Sequence, residues 1–534
     1  MIREAFVAIG SSRSAAAISI GKSRAVFNEI CEQPTSFDIE IIFESAVSEF
    51  RNHDYSWLKI NTCRIATSYA PKILKLANGC YVQAASNEGI WELNNNNPYM
   101  LVWRFNPENS APLTTYAQNK YEKKIAAARS SVIARNPTLL FSFKNAIEFS
   151  RSAIPFVAVA CFTDHCDFDT SQSLRLQRKF FRSNAVRTTK GFFLNHFSKR
   201  QDNASFEKDG NELELWRTDG HELAYHSLSQ SAKPDKENID DFINFTPPYS
   251  HIPTWIDHGF QNYNFSMLDV SRIPEEEYAK ILDDKKVRNL WNYIDSGTAT
   301  FGVINQMNPD DFTLKRFAAG NRDLKFTARF SLLIKNIMFH YYADEKIITA
   351  YKNTAADFKK MIYDRQIGKL GSLIKNFLIL AIPLLKVFIR WNRSSKETYR
   401  LAKYTPLVFN HTVNNKTFSV FQTLEMVDFR KALHLSNIEN LIREKGIFIA
   451  HTYFSVPMSY HRGRMFKNPD LIDEEVAANF KILGEKIRNG QIWNPTLNDL
   501  TLFLANFEKY VLDIDVDGNI VVLHDAGIPY RRVI

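Results

Sequence analysis

Ile154-Pro-Phe-Val-Ala-Val-Ala-Cys-Phe162 runs almost without a polar side chain into Thr163-Asp-His-Cys-Asp-Phe-Asp169. A short apolar run that stops abruptly at clustered acids is the pattern of a buried parallel strand that delivers side chains to a site at its carboxyl end. Asp169 and Thr170 can cap a following helix, in which Leu174, Leu176, Phe180 and Phe181 keep roughly helical spacing. Lys190-Gly191 then leads into a short strand at 192–194. A second helix, about 212–218, ends at Gly220, and His221 to Ser227 reads as the next strand. Strand, helix, strand and helix in alternation predict an α/β barrel or a doubly wound sheet.

Outward from this core the chain divides into four parts. Residues 1–150 mix β-branched runs such as 39–43 and 99–103 with the Asn94–Asn97 turn, and predict an α+β accessory domain. Residues 151–330 hold the first βα units, 331–405 are helical and basic, and 406–534 return to βα grammar and end in a hairpin. In that last part the helix at 438–443 precedes a buried strand, Ile447 to Ala450, that runs into His451. Asp513-Ile-Asp515 ahead of Asp517-Gly518 reads as a hairpin turn. In the basic part, the apolar stretch 377–385 is bounded by Lys375 and Lys386 and contains Pro383. It reads as too short to span a bilayer, which leaves a buried helix or hairpin, or a segment lying on an anionic membrane through 373–400.

Composition sets limits on function. With 534 residues, 45% hydrophobic and 23% charged, the chain is globular and larger than one compact core. Lys plus Arg number 67 against 58 Asp plus Glu, a net +9 that suits an anionic surface or an acidic glycan. No basic stripe with interleaved aromatics and no zinc-finger spacing occurs, so nucleic acid is not an expected partner. Five scattered cysteines make no disulfide framework, and the first ten residues do not resemble a secretory signal. A cytoplasmic chain, peripheral at the inner membrane face, is the expectation.

Three clusters carry chemistry. Asp164, His165, Asp167 and Asp169 crowd three carboxylates and an imidazole into one strand end, where a divalent cation would relieve their mutual repulsion; a helix N-terminus complemented by acids is the plainer alternative. In Gly220-His-Glu-Leu-Ala-Tyr-His226-Ser227, alternation puts His226 on the face of Ala224 and Glu222, at the end of its strand. Trp255-Ile-Asp257-His258-Gly259 offers an acid and an imidazole in a loop, or simply a turn.

The order of these elements resembles the polysaccharide deacetylase superfamily, of the carbohydrate esterase family 4 type. The Gly-His-Glu segment ending in His226-Ser227 carries the likeness most specifically, over about 150–305 and 405–500. The resemblance implies a distorted (β/α) barrel with an N-terminal α+β region and a helical insertion. It also implies a metal-dependent hydrolase, with zinc as the expected ion, that removes acyl groups from an amino sugar or polysaccharide in cell-surface polysaccharide biosynthesis. By alignment Asp164 stands for the base, either His165 or Asp167 for a metal ligand together with His226, and His451 for the acid at the leaving group, with His524 as a weaker second candidate. Trp255, Asp257 and His258 take the place of a substrate-binding segment, and Trp255, Tyr263 and Trp291 could stack on sugar faces. Two departures stand out: the family's paired aspartates are here Asp164-His165, and its later histidine is Gln230. The rival readings are a nucleotide-sugar glycosyltransferase using Asp167-Phe-Asp169 as an Asp-x-Asp metal motif, and a non-catalytic glycan-binding relative.

Overall fold

The computed structural model describes all residues except 29–35, 117–122, 128–135, 259–266, 269–272, 342–344, 364–369, 390–396, 405 and 458–462. Its centre is the strand Ala158–Asp164, buried along its whole length. On one side it pairs in parallel with Ile447–Thr452, in a register that sets Thr163 opposite His451 and Asp164 opposite Thr452. On the other side lie Thr189–Phe192, Glu222–His226, Thr254–Ile256 and Asn289–Trp291, each parallel to the last. Lys416–Phe421 continues the order in parallel, and Val408–Val413 ends it antiparallel. Beyond Ile447–Thr452 the other end is formed by Thr423–Glu425 and Asp295–Thr298.

The result is one curled sheet of eleven strands, ten of them in a single order that makes a half-barrel, with Ile492–Trp493 paired to Ala158–Asp164 beside that order. The strand order runs from Val408–Val413 to Asp295–Thr298, and no closed (β/α) ring is shown among the described residues. This corrects the distorted barrel expected from the sequence. The larger correction is that much of the molecule is antiparallel β. Among the described residues, 1–150 contain no helix and form antiparallel sheets of six and seven strands. Strict alternation explains them: Phe37, Ile39, Ile41 and Phe43 are buried while Asp38 and Glu40 are not, as a sheet with one face on a core requires. The Asn94–Asn97 segment closes a hairpin in that sheet, the Asn94 side chain accepting from the Asn96 amide at 3.0 Å. The C-terminus belongs with this region. Its Val511–Ile514 and Ile520–His524 hairpin turns at Gly518, and Tyr530–Val533 pairs with Ala146–Phe149.

Alternation along the central strand divides two cores. Ala158, Ala160 and Phe162 face the helical layer with Leu174, Phe181 and Trp216. Val159 and Cys161 face the hollow of the sheet with Ala224, Ile256, Trp291 and Ile449. Helices Ser171–Ser183 and Phe206–Thr218 complete the first βα units, the former capped by Thr170 and the latter ending before Gly220, whose φ of 87° only glycine adopts freely.

The insertion holds helices Phe326–His340, Glu345–Tyr363 and Leu370–Ile389. The last continues through Pro383, so the apolar segment is longer than 377–385, and Gly371–Ile389 is long and apolar enough to cross a membrane. It is also not the buried helix of the first reading, since Leu378 and Ile382 are 62% and 63% exposed.

Candidate metal centre

Strand parity decides which of the clustered residues meet. His165 follows the inward set of Val159 and Cys161, His226 that of Ala224, and His451 that of Ile449, so three imidazoles converge at the carboxyl ends inside the curl. Gly191 makes room, because a Cβ there would collide with the Asp164 carbonyl. Asp167 reaches in from the loop after the first strand. Ligand atoms of His165, Asp167 and His226 lie within 4.8 Å of one another.

Hydrogen bonding shows what these groups can accept. His226 Nδ1 lies 3.1 Å from the Ile256 carbonyl, which accepts only from a protonated nitrogen. In the neutral ring Nε2 therefore carries a lone pair, and it points at Asp167 Oδ2 from 3.0 Å. A backbone carbonyl orienting one nitrogen so that the other can ligate is the usual support of a metal-bound histidine. His258 joins the same group: its Nδ1 is 2.8 Å from Asp167 Oδ1 and 3.3 Å from His226 Nε2, and its ring also bonds the Gln230 backbone. Ser227, held at φ 54°, accepts the His258 amide at 2.9 Å and so ties the two strand ends together. Both ring nitrogens of His165 are buried without a hydrogen-bond partner among the described residues. Leaving such atoms unpaired costs about 1–3 kcal/mol each, and a cation would use one of them.

Electrostatics follow from burial and from Asp167. Burial pushes His165 well below the usual histidine range, and His451 and His226 push it the same way. Burial also lowers His226, against the pull of Asp167. For His258 burial works downward, but the Asp167 charge prevails and raises it. Burial would raise the Asp167 carboxyl, yet His258 and His226 hold it well below the usual carboxylate range. The donor set, two neutral imidazoles and a carboxylate with a third imidazole alongside, fits a divalent ion.

His451 stands on the far side of His165, their rings stacked at 4.0 Å. Its Nδ1 lies 3.2 Å from Asp295 Oδ1, while Nε2 is buried with no partner among the described residues. This is an oriented imidazole with one nitrogen available for proton transfer.

Other sequence candidates lie elsewhere. Asp164 has the outward parity of Ala160 and Phe162, and it forms a fully buried ion pair with Lys190, which also binds Asp169 and, at 2.9 Å, Gln177 Oε1. Burial raises the Asp164 carboxyl to about 7, with Lys190 opposing and Asp169 reinforcing. Asp164 thus sits behind the centre and does not face it. Asp169 points away with it, so Asp167 and Asp169 do not form a shared Asp-x-Asp pair. Trp255 is buried between Tyr225 and Phe245, which corrects its reading as a sugar platform. Asp257 is fully buried and accepts from Asn292 at 3.2 Å. Trp291 is buried too, its ring edge against His165 at 4.7 Å, and Tyr263 lies outside the described residues. His524 is exposed on the C-terminal hairpin, outside the curled sheet. Gln230 binds Ser198 Oγ at 2.9 Å through its side chain. Sequence reasoning missed Asp295, whose only signal was its place just after a strand end, and gave His258 a substrate role.

No protein-family model matches this chain, and no curated protein does. Among solved structures it is similar, at 8% identity and a TM-score of 0.21, to a GH31 dextranase of Flavobacterium johnsoniae complexed with glucose, over 53% of this chain and 40% of that one. A substituted form of that dextranase complexed with isomaltotriose matches at 8% identity and a TM-score of 0.20, again over 53% and 40%. The chain thus spans well under half of the dextranase, and overlap this slight carries no argument about fold or activity.

Proposed function

We propose that the chain is a metal-dependent hydrolase that removes acyl groups from an amino sugar or polysaccharide. One observation carries this reading: His165, Asp167, His226 and His258 bring imidazole nitrogens and one carboxylate to a single point, beside the oriented His451. The two imidazoles and one carboxylate favour zinc over magnesium or calcium, which prefer oxygen ligands. Such an ion would polarise an acyl carbonyl and bring a bound water to a pKa of about 7.

The protein's own groups supply the rest. Asp167 and His226 fix the ligand geometry, His226 through the Ile256 carbonyl. His258 reaches in from the neighbouring strand end, its Nδ1 3.3 Å from His226 Nε2. His451, with Asp295 holding Nδ1, would take the attacking water's proton on Nε2 and return it to the departing amine. Asp164 is no longer the base in this scheme, because its carboxylate is committed to Lys190. The glycosyltransferase reading loses its motif when Asp169 turns away.

The test is His451→Ala on the zinc-reconstituted chain. Metal content should stay at about one per molecule while turnover of N-acetylated glycan falls by roughly 10²-fold or more, and activated esters, whose leaving group needs no proton, should suffer less. Equal loss on both substrates, or no activity on any acylated sugar with metal bound, would defeat the proposal.

A further inference from the structure

The Leu370–Ile389 helix leaves Ile374, Leu378, Ile382, Leu385 and Ile389 between 51% and 74% exposed. At 100° per residue they fall within an arc of about 80°, one continuous apolar stripe. The other side is occupied, Leu380 and Val387 being buried with Ile337 and Met338 of the Phe326–His340 helix. That neighbouring helix extends the stripe: Phe326, 78% exposed, stacks on Phe330, which stacks on Phe388 at 5.9 Å. A contiguous exposed patch of this kind marks an interaction surface.

Charge identifies the partner. The two helices carry Arg329, Lys335, Lys375 and Lys386 and no Asp or Glu, and the sequence from 365 to 403 holds nine Lys or Arg against the single acid Glu397. We infer that this two-helix face docks in the plane of an anionic lipid bilayer, apolar stripe in the acyl boundary and lysines among the headgroups. A second copy of the same face would bring like charges together. Spanning would strip Leu380 and Val387 from their own core. The docked face also adjoins the metal centre, since Lys335 Nζ lies 4.0 Å from Glu425 Oε1 and Glu425 pairs with His451 in the sheet.

Flotation of the full chain with phosphatidylcholine vesicles, with and without phosphatidylglycerol, tests this. Binding should require the anionic lipid and weaken in high salt. Leu378→Glu with Ile382→Glu and Leu385→Glu should reduce it at least tenfold at unchanged melting temperature. Lys375→Glu with Lys386→Glu, both at exposed positions, should reduce it several-fold and stands as the test should the triple variant fail to fold. Absence of flotation, flotation unaffected by either variant, resistance to alkaline carbonate extraction, or dimerisation through this face in place of flotation would each overturn the inference.

Discussion

Seven residues, Thr163 to Asp169, feed two buried clusters of opposite character. Behind the sheet, Asp164 and Asp169 share the ammonium of Lys190, with Gln177 completing the set, so each charged group there has a partner. Inside the curl, His165 has two unpartnered nitrogens and His226 turns a lone pair toward Asp167. The first cluster is complete as it stands, and the second offers ligand atoms that could hold a cation. Satisfied polar networks hold a fold together; unsatisfied ones at strand ends mark where something binds. Asp164 and His165, adjacent in the chain at the strand end, fall to opposite clusters.

The sharpest way to break the comparison is Lys190→Met. It leaves two carboxylates buried without a counter-ion and should cost about 3–5 kcal/mol, read as a large fall in melting temperature. Lys190 is a structural residue only if the fraction that folds still binds metal. His226→Ala should do the reverse: metal affinity falls by more than about 10²-fold while the metal-free protein loses only about 1–3 kcal/mol, less than Lys190→Met. Asp164→Asn should retain metal and lose about 1–3 kcal/mol of stability through a weakened buried pair. Asp164→Asn abolishing metal binding would place Asp164 in the centre after all.

Much of this pairing was open to a reader of the sequence. An apolar run ending in acids marked the strand and its site, and alternation put His226 inward beside Ala224. The same rule, applied to Asp164, sets it with Ala160 and Phe162, and only the knowledge of which side those two face sends it to the helices. Alignment with a family's aspartate pair overrode that parity. Asp295 had no comparable signal, and His258 stood out only as the imidazole of an Asp-His pair in a loop, because their positions depend on how neighbouring strand ends approach through the curl. In the N-terminal region the period-two pattern of Phe37 to Phe43 was plain, but irregular stretches between strands invited helices that the two antiparallel sheets do not contain. The insertion was misjudged because Lys375 and Lys386 were taken as bounds and Pro383 as a break, whereas one helix runs through all three.

A smaller effect separates the centre from its structural surroundings by pH. His221 accepts the Thr188 amide on Nδ1 at 3.1 Å, and burial lowers its pKa to about 4. Between about 6.5 and 4 the unfolded chain binds the proton and the folded one does not, so stability present above that window should fall as pH drops through it, by up to about 1.4 kcal/mol per pH unit. His221→Gln should flatten this slope in denaturant titrations without altering metal binding.

Metal content tests the central claim most directly. The purified chain, reconstituted with zinc, dialysed and analysed for metal, should hold about one ion per molecule, and the cobalt form should show the visible absorption of a low-coordinate site that disappears in His165→Ala with His226→Ala. A chain that retains no ion, or one whose ion survives that double substitution, would contradict the assignment of the inward cluster as a metal centre.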